Sequence, residues 1–316
     1  MSGSAGPVLA LSGGIGGAKL ALGLYRVLPP ETLTVVANPG DDFEHLHLSI
    51  TPDLDTLLYT LSGLDNPELG WGRKGETWTF MAALEALGGE TWFRLGDGDL
   101  ATHVERTRRL KAGESLSAII DDFRRRLGIA ARLLPASDEP VRTRLRTPDG
   151  WLDFQDYFVR LHCEPKVEEI VFAGVEAARP QSELLTALAN RALRAVVICP
   201  SNPFISIDPI LAIPGVRAAL RDCAAPVVAV SPIIGGKAVK GPTAKMMAEL
   251  GLPVDAAAVA RHYREFLDVY VADEADAAAV DGIEIPVVLA KTLMVSLDDR
   301  VALARTVLAA ADRVRK

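Results

Sequence analysis

Two rhythms of apolar and polar positions run along this chain. Val8-Leu9-Ala10-Leu11, Leu33-Thr34-Val35-Val36-Ala37, Ala195-Val196-Val197-Ile198-Cys199 and residues 226–230 are short, almost unbroken apolar runs. That is the character of strands buried on both faces of a parallel sheet. Between and after them lie stretches with helical spacing, at 20–28, 115–127, 182–192 and 297–314. In 115–127 the apolar face is Leu116, Ile119, Ile120, Phe123 and Leu127. Strands interleaved with helices predict an α/β fold.

The rhythm breaks at about 130–170. Arg132-Leu133-Leu134-Pro135 reads as a strand end, and 141–152 as a β-hairpin around Pro148-Asp149-Gly150. This region is expected to be an insert or a lid. The βα rhythm is expected to resume with a strand at 169–172. Further strands follow at 269–271 and 287–289. No internal repeat or low-complexity linker divides residues 1–316, so one domain is expected.

The first strand runs into Ser-Gly-Gly-Ile-Gly-Gly-Ala-Lys at 12–19 and then into a helix. Gly13, Gly14, Gly16 and Gly17 would present bare backbone N–H groups at a helix N-terminus, where the macrodipole favours a phosphate. Lys19 would add a point charge. The spacing matches neither Walker A, because Leu20 follows Lys19, nor the dinucleotide fingerprint, which needs Gly where Lys19 stands. The plainer reading is a turn that lets helix and strand pack closely. Later loops at strand ends, Pro200-Ser201-Asn202-Pro203 and Ser231-Pro232-Ile233-Ile234-Gly235-Gly236-Lys237, lie where open α/β sheets bind ligands. Ser201, Asn202, Ser231, Gly235 and Lys237 are therefore candidate nucleotide or phosphate contacts, with Lys240 and Lys245 as further cations.

Asp41, Asp42, Asp53 and Asp55 fall within fifteen residues, around loops. Carboxylates beside a phosphate loop suit Mg2+, which binds through one or two carboxylates plus substrate phosphates. Thr51-Pro52-Asp53 is also a good helix start, with Thr51 as cap, so Asp53 has a capping alternative. Trp71, Trp78 and Phe80 are either core or a wall against a flat ring. A helix is expected to begin near Leu100. On it His103 reads as structural, and Arg106, Arg108, Arg109 and Lys111 as mostly a solvated face.

Composition narrows the classes. With 316 residues, 49% of them hydrophobic, the chain can bury a large core. A net charge of -7 argues against a general nucleic-acid binder. No apolar run is long enough for a transmembrane helix, and residues 1–7 lack the pattern of a signal peptide. The three cysteines, Cys163, Cys199 and Cys223, are scattered and suggest neither a disulfide framework nor a zinc site. A cytoplasmic protein acting on small molecules is expected, without nucleic-acid or membrane partners.

Several motifs in order resemble one family: the loop at 12–19, Gly-Asp-Asp at 40–42, Thr-Pro-Asp-Leu-Asp-Thr at 51–56, Leu-Gly-Asp-Gly-Asp-Leu-Ala-Thr-His at 95–103, Ser-Asn-Pro at 201–203 and Ser-Pro-Ile-Ile-Gly at 231–235. From residue 8 to about 296 the chain is similar to the CofD-type transferases of coenzyme F-420 biosynthesis, the 2-phospho-L-lactate or phosphoenolpyruvate transferases. The resemblance implies a Rossmann-like, three-layer α/β/α fold with a mostly parallel sheet and a smaller inserted β-containing region. It also implies Mg2+ and a homodimer. The implied reaction joins an X-diphospho-5′-guanosine donor to the ribityl hydroxyl of the deazaflavin alcohol Fo, with release of GMP. Asp55 and Arg94 look like the family's Fo contacts. Asp55 would also serve as base, and would hold the metal with Asp41 and Asp42. Gly98 stands where relatives often carry Arg, which bears on the donor contacts there. The alternative is a guanine-nucleotide-binding regulator of the same fold without turnover.

Overall fold

The computed structural model describes residues 6–66, 68, 71–238 and 241–314; residues 1–5 and Lys240, named above, lie outside these. The chain opens with β1 (Val8–Ser12), α1 (Gly14–Val27) and β2 (Leu33–Ala37). A hairpin of β3 (Phe43–His45) and β4 (Leu48–Ile50) leads to α2 (Pro52–Ser62), α3 (Thr79–Ala86), α4 (Asp97–Lys111), α5 (Leu116–Arg126) and β5 (Arg132–Pro135). Then come β6 (Arg142–Thr147), β7 (Gly150–Asp153), β8 (Glu169–Ala173), α6 (Ser182–Ala189) and β9 (Ala195–Ile198). After β9 the chain forms α7 (Asp208–Leu211), α8 (Val216–Arg221), β10 (Val227–Val230), β11 (Ile233–Ile234) and β12 (Lys237–Ala238). It ends with α9 (Thr243–Glu249), α10 (Ala256–His262), β13 (Val269–Asp273), β14 (Val287–Ala290) and α11 (Leu297–Val314).

Seven strands form one all-parallel sheet in the order β14-β13-β10-β9-β1-β2-β5. Side chains alternate across it, as the pleat requires. Leu9 and Leu11 enter a core shared with α6 to α10, whereas Val8 and Ala10 enter one shared with α1, α2, α5 and α11. Helices on both faces are what made the strand sequences apolar throughout. The order reverses at β1: the chain leaves it for β2 on one side, and β9 arrives on the other. Loops diverge at such a switch point and leave a crevice beyond the carboxyl ends of the strands.

The rhythm expected after residue 169 starts later than the sequence suggested. β8 pairs antiparallel with β6, whose other neighbour is β7, so it belongs to a separate three-stranded sheet. Conversely β5, placed within the expected insert, is the edge strand of the main sheet beside β2. The small sheet thus runs from 142 to 173. A five-residue apolar run looks the same in either sheet; only its partner tells them apart.

Two helix starts also differ. Thr51 does not cap α2 with its side chain, and Asp53 accepts instead from the start of α1, with Gly14 N at 2.5 Å. The helix expected near Leu100 starts at Asp97, because Glu76 accepts the Gly98 and Asp99 amides at 2.7 and 2.8 Å. In return Asp97 accepts the Thr79 and Phe80 amides that open α3. No helix among the described residues is long and apolar enough to cross a membrane.

At Gly23, α1 approaches α11 so closely that a Cβ would fall on the Arg300 carbonyl oxygen. Gly23→Ala must push two backbones apart. Loss of about 1–3 kcal/mol, the usual range for overpacking, should appear as a lower chemical-denaturation midpoint. An unchanged midpoint would show that the two helices part without cost.

Candidate active site

At the switch point the glycine loop and the loop after β9 are clasped together. The Ser201 hydroxyl accepts from Gly13 N at 3.2 Å and donates to Gly13 O at 2.7 Å. A Cβ on Gly16 would strike the Pro200 carbonyl, and one on Gly17 the Ser12 and Ser201 hydroxyls. Close packing thus accounts for Gly13, Gly16 and Gly17. Gly14 is different: its φ is +65° and the space over its Cα is open. Lys19 turns away from the loop and donates to Met294 O at 2.8 Å.

Asn38, the first residue after β2, ties the crevice together. Its side-chain nitrogen lies 2.8 Å from Asp41 Oδ1, 2.9 Å from Asp53 Oδ2 and 3.1 Å from Ile205 O. Sequence reasoning passed over it, although its place at a strand's carboxyl end beside two acids was a usable signal. The carboxylates around it are held under electrostatic stress. Burial pushes Asp42 up to about 8, against the lowering effect of Arg142 and Arg106. Its Oδ1 is buried with no partner, and Oδ2 is 3.8 Å from Arg142. Burial also lifts Asp53 to about 6, with the Gly14 amide and Asn38 pulling the other way. Asp41 is raised well above the usual range by burial and then by the charge of Asp53.

Asp55 lies apart from this group in its bonding. Both its oxygens accept from Arg106, one of them, Oδ2, at 3.1 Å from Nη1. Arg106 is completely buried, so the expected solvated face is in part a core ion pair. Its Nη1 also faces His103 Nδ1 at 3.3 Å, and His103 offers its second nitrogen, Nε2, on the far side of the ring. That nitrogen is 3.1 Å from Asp99 Oδ2, while the Tyr59 hydroxyl donates to Asp99 Oδ1 at 2.5 Å. Burial opposes ionisation of Asp99, yet the bonds from His103 and Tyr59 hold its carboxyl below the usual value. Asp55, Asp99 and His103 have the spacing of a metal site. Arg106, however, already fills the cation position between them.

The remaining candidates are spread along the rim. Arg94 is exposed and lies over the Trp78 ring, 4.2 Å from its centroid, with Trp71 edge-on to that ring. The Arg73 guanidinium fills the space beside Gly98, where Nη1 donates to Gly98 O at 3.0 Å. Asn202 caps the turn at Pro203–Ile207 by accepting from Phe204 N at 2.9 Å. Ser231 closes on Ile233, and Asp276 accepts the Gly235 and Gly236 amides at 2.9 and 2.8 Å. Lys237 is exposed on β12, whereas Lys245 is engaged by Pro165 O and Glu249. A groove of about 770 Å³ between α4 and α5 lies away from this rim, lined by side chains such as Arg109, Glu114 and Asp122 that pair with one another.

The family described as 2-phospho-L-lactate transferase CofD matches residues 8–298. A phosphoenolpyruvate transferase of Kitasatospora aureofaciens is 41% identical, over 98% of this chain and 98% of its own length. One from Streptomyces coelicolor is 40% identical over 98% and 99%. One from Mycobacterium tuberculosis is 38% identical over 88% and 91%. Among solved structures, a UPF0052-family protein from Bacillus halodurans shares the fold, with a TM-score of 0.64, 15% identity and coverage of 96% and 98%. The family match and these relatives span nearly the whole chain, and the chain belongs to the CofD family.

Proposed function

We propose that this protein transfers a 2-phospholactyl or phosphoenolpyruvyl group from an X-diphospho-5′-guanosine donor to the ribityl hydroxyl of Fo, releasing GMP. The observation that carries this is the group of buried Asp42 and Asp53 with half-buried Asp41 at the switch point, their carboxyls raised chiefly by loss of water and then by neighbouring carboxylates. Such a cluster calls for a cation and a polyanionic partner. The hydroxyl oxygen attacks the phosphorus bearing X, the bond from that phosphorus to the GMP oxygen breaks, and the hydroxyl proton passes to a carboxylate. Phosphoryl transfer asks a protein chiefly for positioning and charge neutralisation.

The donor chemistry of the acidic turn suits Mg2+. Its carboxylates offer hard oxygen donors, and Asp42 Oδ1 is buried without a partner. Asp41 and Asp42 would hold it; Asp55, also expected as a ligand, has metal-ligand spacing with Asp99 and His103 but carries Arg106 N–H groups on both oxygens. When bound, Mg2+ neutralises the diphosphate and the leaving GMP. Asp55 then enters as a fixed hydrogen-bond acceptor for the Fo hydroxyls, with Arg94 and Trp78 beside the ring. Gly14 and the loop from Gly13 to Gly17 face the diphosphate, with Lys237 as a nearby charge; Lys19, also expected there, is tethered to Met294 O. Ser201, Asn202, Ser231 and Gly235 line the nucleoside end.

The direct test incubates the protein with Fo, Mg2+ and each guanosine-diphospho donor, with mass spectrometry for coupled product and GMP. Both should appear and vanish with EDTA; guanine-nucleotide binding without product would leave a regulator instead.

Asp42→Asn should abolish most turnover yet leave the metal-free fold at least as stable. Folding raises the Asp42 carboxyl, so its stabilising contribution is complete below the unfolded carboxylate range and is lost as pH rises through about 8. His45, lowered chiefly by burial, runs the other way and matters as pH falls below about 6.5. Thermal unfolding of the metal-free protein between about pH 6.5 and about pH 8.5 should therefore show falling stability, flattened by Mg2+ and by Asp42→Asn. A flat profile in the unmodified protein would remove the case for a stressed carboxylate.

Arg106→Met should cost about 3–5 kcal/mol by leaving Asp55 buried and unpaired. Adding Asp55→Leu should restore much of that stability without restoring transfer to Fo. Activity in the double variant would show that the Asp55 carboxylate has no part in the reaction.

A further inference from the structure

The polar groups of the crevice follow the strand order along the sheet rim. From β10 through β9 and β1 to β2 they are Ser231, then Ser201 and Asn202, then Gly14, then Asp41 and Asp42. On the reading above, on which this inference rests, a donor lying along the rim has its guanosine at the β10 and β9 end and its diphosphate at β1. Group X then projects over the turn after β2. The candidate donors share one feature at that end: X carries a carboxylate.

The small sheet supplies a cation at this point. Thr143 N donates to Gly40 O at 2.9 Å, and Gln155 Nε2 to Asp41 O at 3.0 Å, so β6 and the segment after β7 are fastened to the acidic turn. Arg142, the first residue of β6, stands next to it with its side chain 37% exposed. Its guanidinium has only long contacts: Nη1 is 3.3 Å from Val141 O, 3.5 Å from Pro39 O and 3.8 Å from Asp42 Oδ2. Arg194, by comparison, holds Asp312 through two bonds of 2.6 and 2.9 Å. Of the other cations near the crevice, Lys19 donates to Met294 O and Lys245 to Pro165 O, each within 2.8 Å. A planar guanidinium held this loosely retains the donor pair that a carboxylate takes in bidentate fashion.

We propose that Arg142 recognises the carboxylate of the transferred group and so sets the donor specificity of the enzyme. The small sheet then serves as a specificity element: it carries this guanidinium to the acid end of the donor.

The test compares lactyl-diphosphoguanosine with ethyl-diphosphoguanosine, which lacks only the carboxylate. Binding of each to the full chain with Mg2+ is measured by calorimetry, and turnover with Fo in parallel. The unmodified protein should bind the lactyl donor about tenfold or more tightly than the ethyl one, as expected of a charge-assisted pair. Arg142→Gln should bring that ratio close to one, whatever common change it makes in both affinities through Asp42, and Arg142→Lys should fall between. Thermal unfolding of each variant checks the fold, and the lysine variant keeps the charge where glutamine disturbs it. An unchanged ratio in Arg142→Gln, or no preference in the unmodified protein, would overturn the proposal. Binding with the expected ratio but no product with Fo would sink the transferase reading and leave Arg142 as a carboxylate site. No binding of either donor would sink both.

Discussion

The crevice depends on one small side chain, the amide of Asn38, which holds two carboxylates and the carbonyl of Ile205 within hydrogen-bond reach of a single nitrogen. Without such a bridge, Asp41 and Asp53 would repel each other in a partly dry site. The Ser201–Gly13 clasp performs the matching task across the switch point, where β1 and β9 part company. Between them these contacts keep the loops of three neighbouring strands in register at the edge of the sheet. A polar network in such a place is worth its cost only when every member is satisfied or awaits a ligand. The unpartnered Oδ1 of Asp42 is one member left over, beside the hydroxyls of Ser12, Thr51 and Thr143.

Two carboxylate environments lie side by side and are handled in opposite ways. Asp55 has an internal cation, and Arg106 neutralises it through both oxygens with His103 and Asp99 arranged behind. Asp41 and Asp53 have amides, and Asp42 has only the Arg142 guanidinium at 3.8 Å. The first arrangement is a rigid wall, and breaking it leaves a buried charge. In the second, burial disfavours the charged form that a divalent ion would stabilise, as expected at sites where ligands bind.

The outer elements are joined to this centre by specific hydrogen bonds. Glu76 and Asp97 cap each other's helices, which places Asp99 and His103 on the first turns of α4. The small sheet reaches the acidic turn through Thr143, Gln155 and Arg142. Farther along, Arg160 stacks over Trp92, 4.4 Å from its ring centroid, beside the aromatic group of Phe43, His45 and Phe93. The expected insert is therefore one side of the crevice.

Much of this was legible in the amino-acid sequence. Apolar runs at residues 8–11, 33–37 and 195–199 have the hydrophobicity of strands buried on both faces, and that property alone implies a parallel sheet with two helical layers. The glycine loop and its acids, being local in sequence, were likewise visible. What the sequence could not settle was partnership over long separations. Asp53 had the pattern of a cap for its own helix and serves α1 instead; Arg106 looked like a surface cation and is buried against Asp55. The strand at 169–173 had no mark of which sheet it would join. Periodicity reports which face of an element is buried, because burial is a property of each residue. Pairing depends on which elements the fold brings together, and only the tertiary structure decided that.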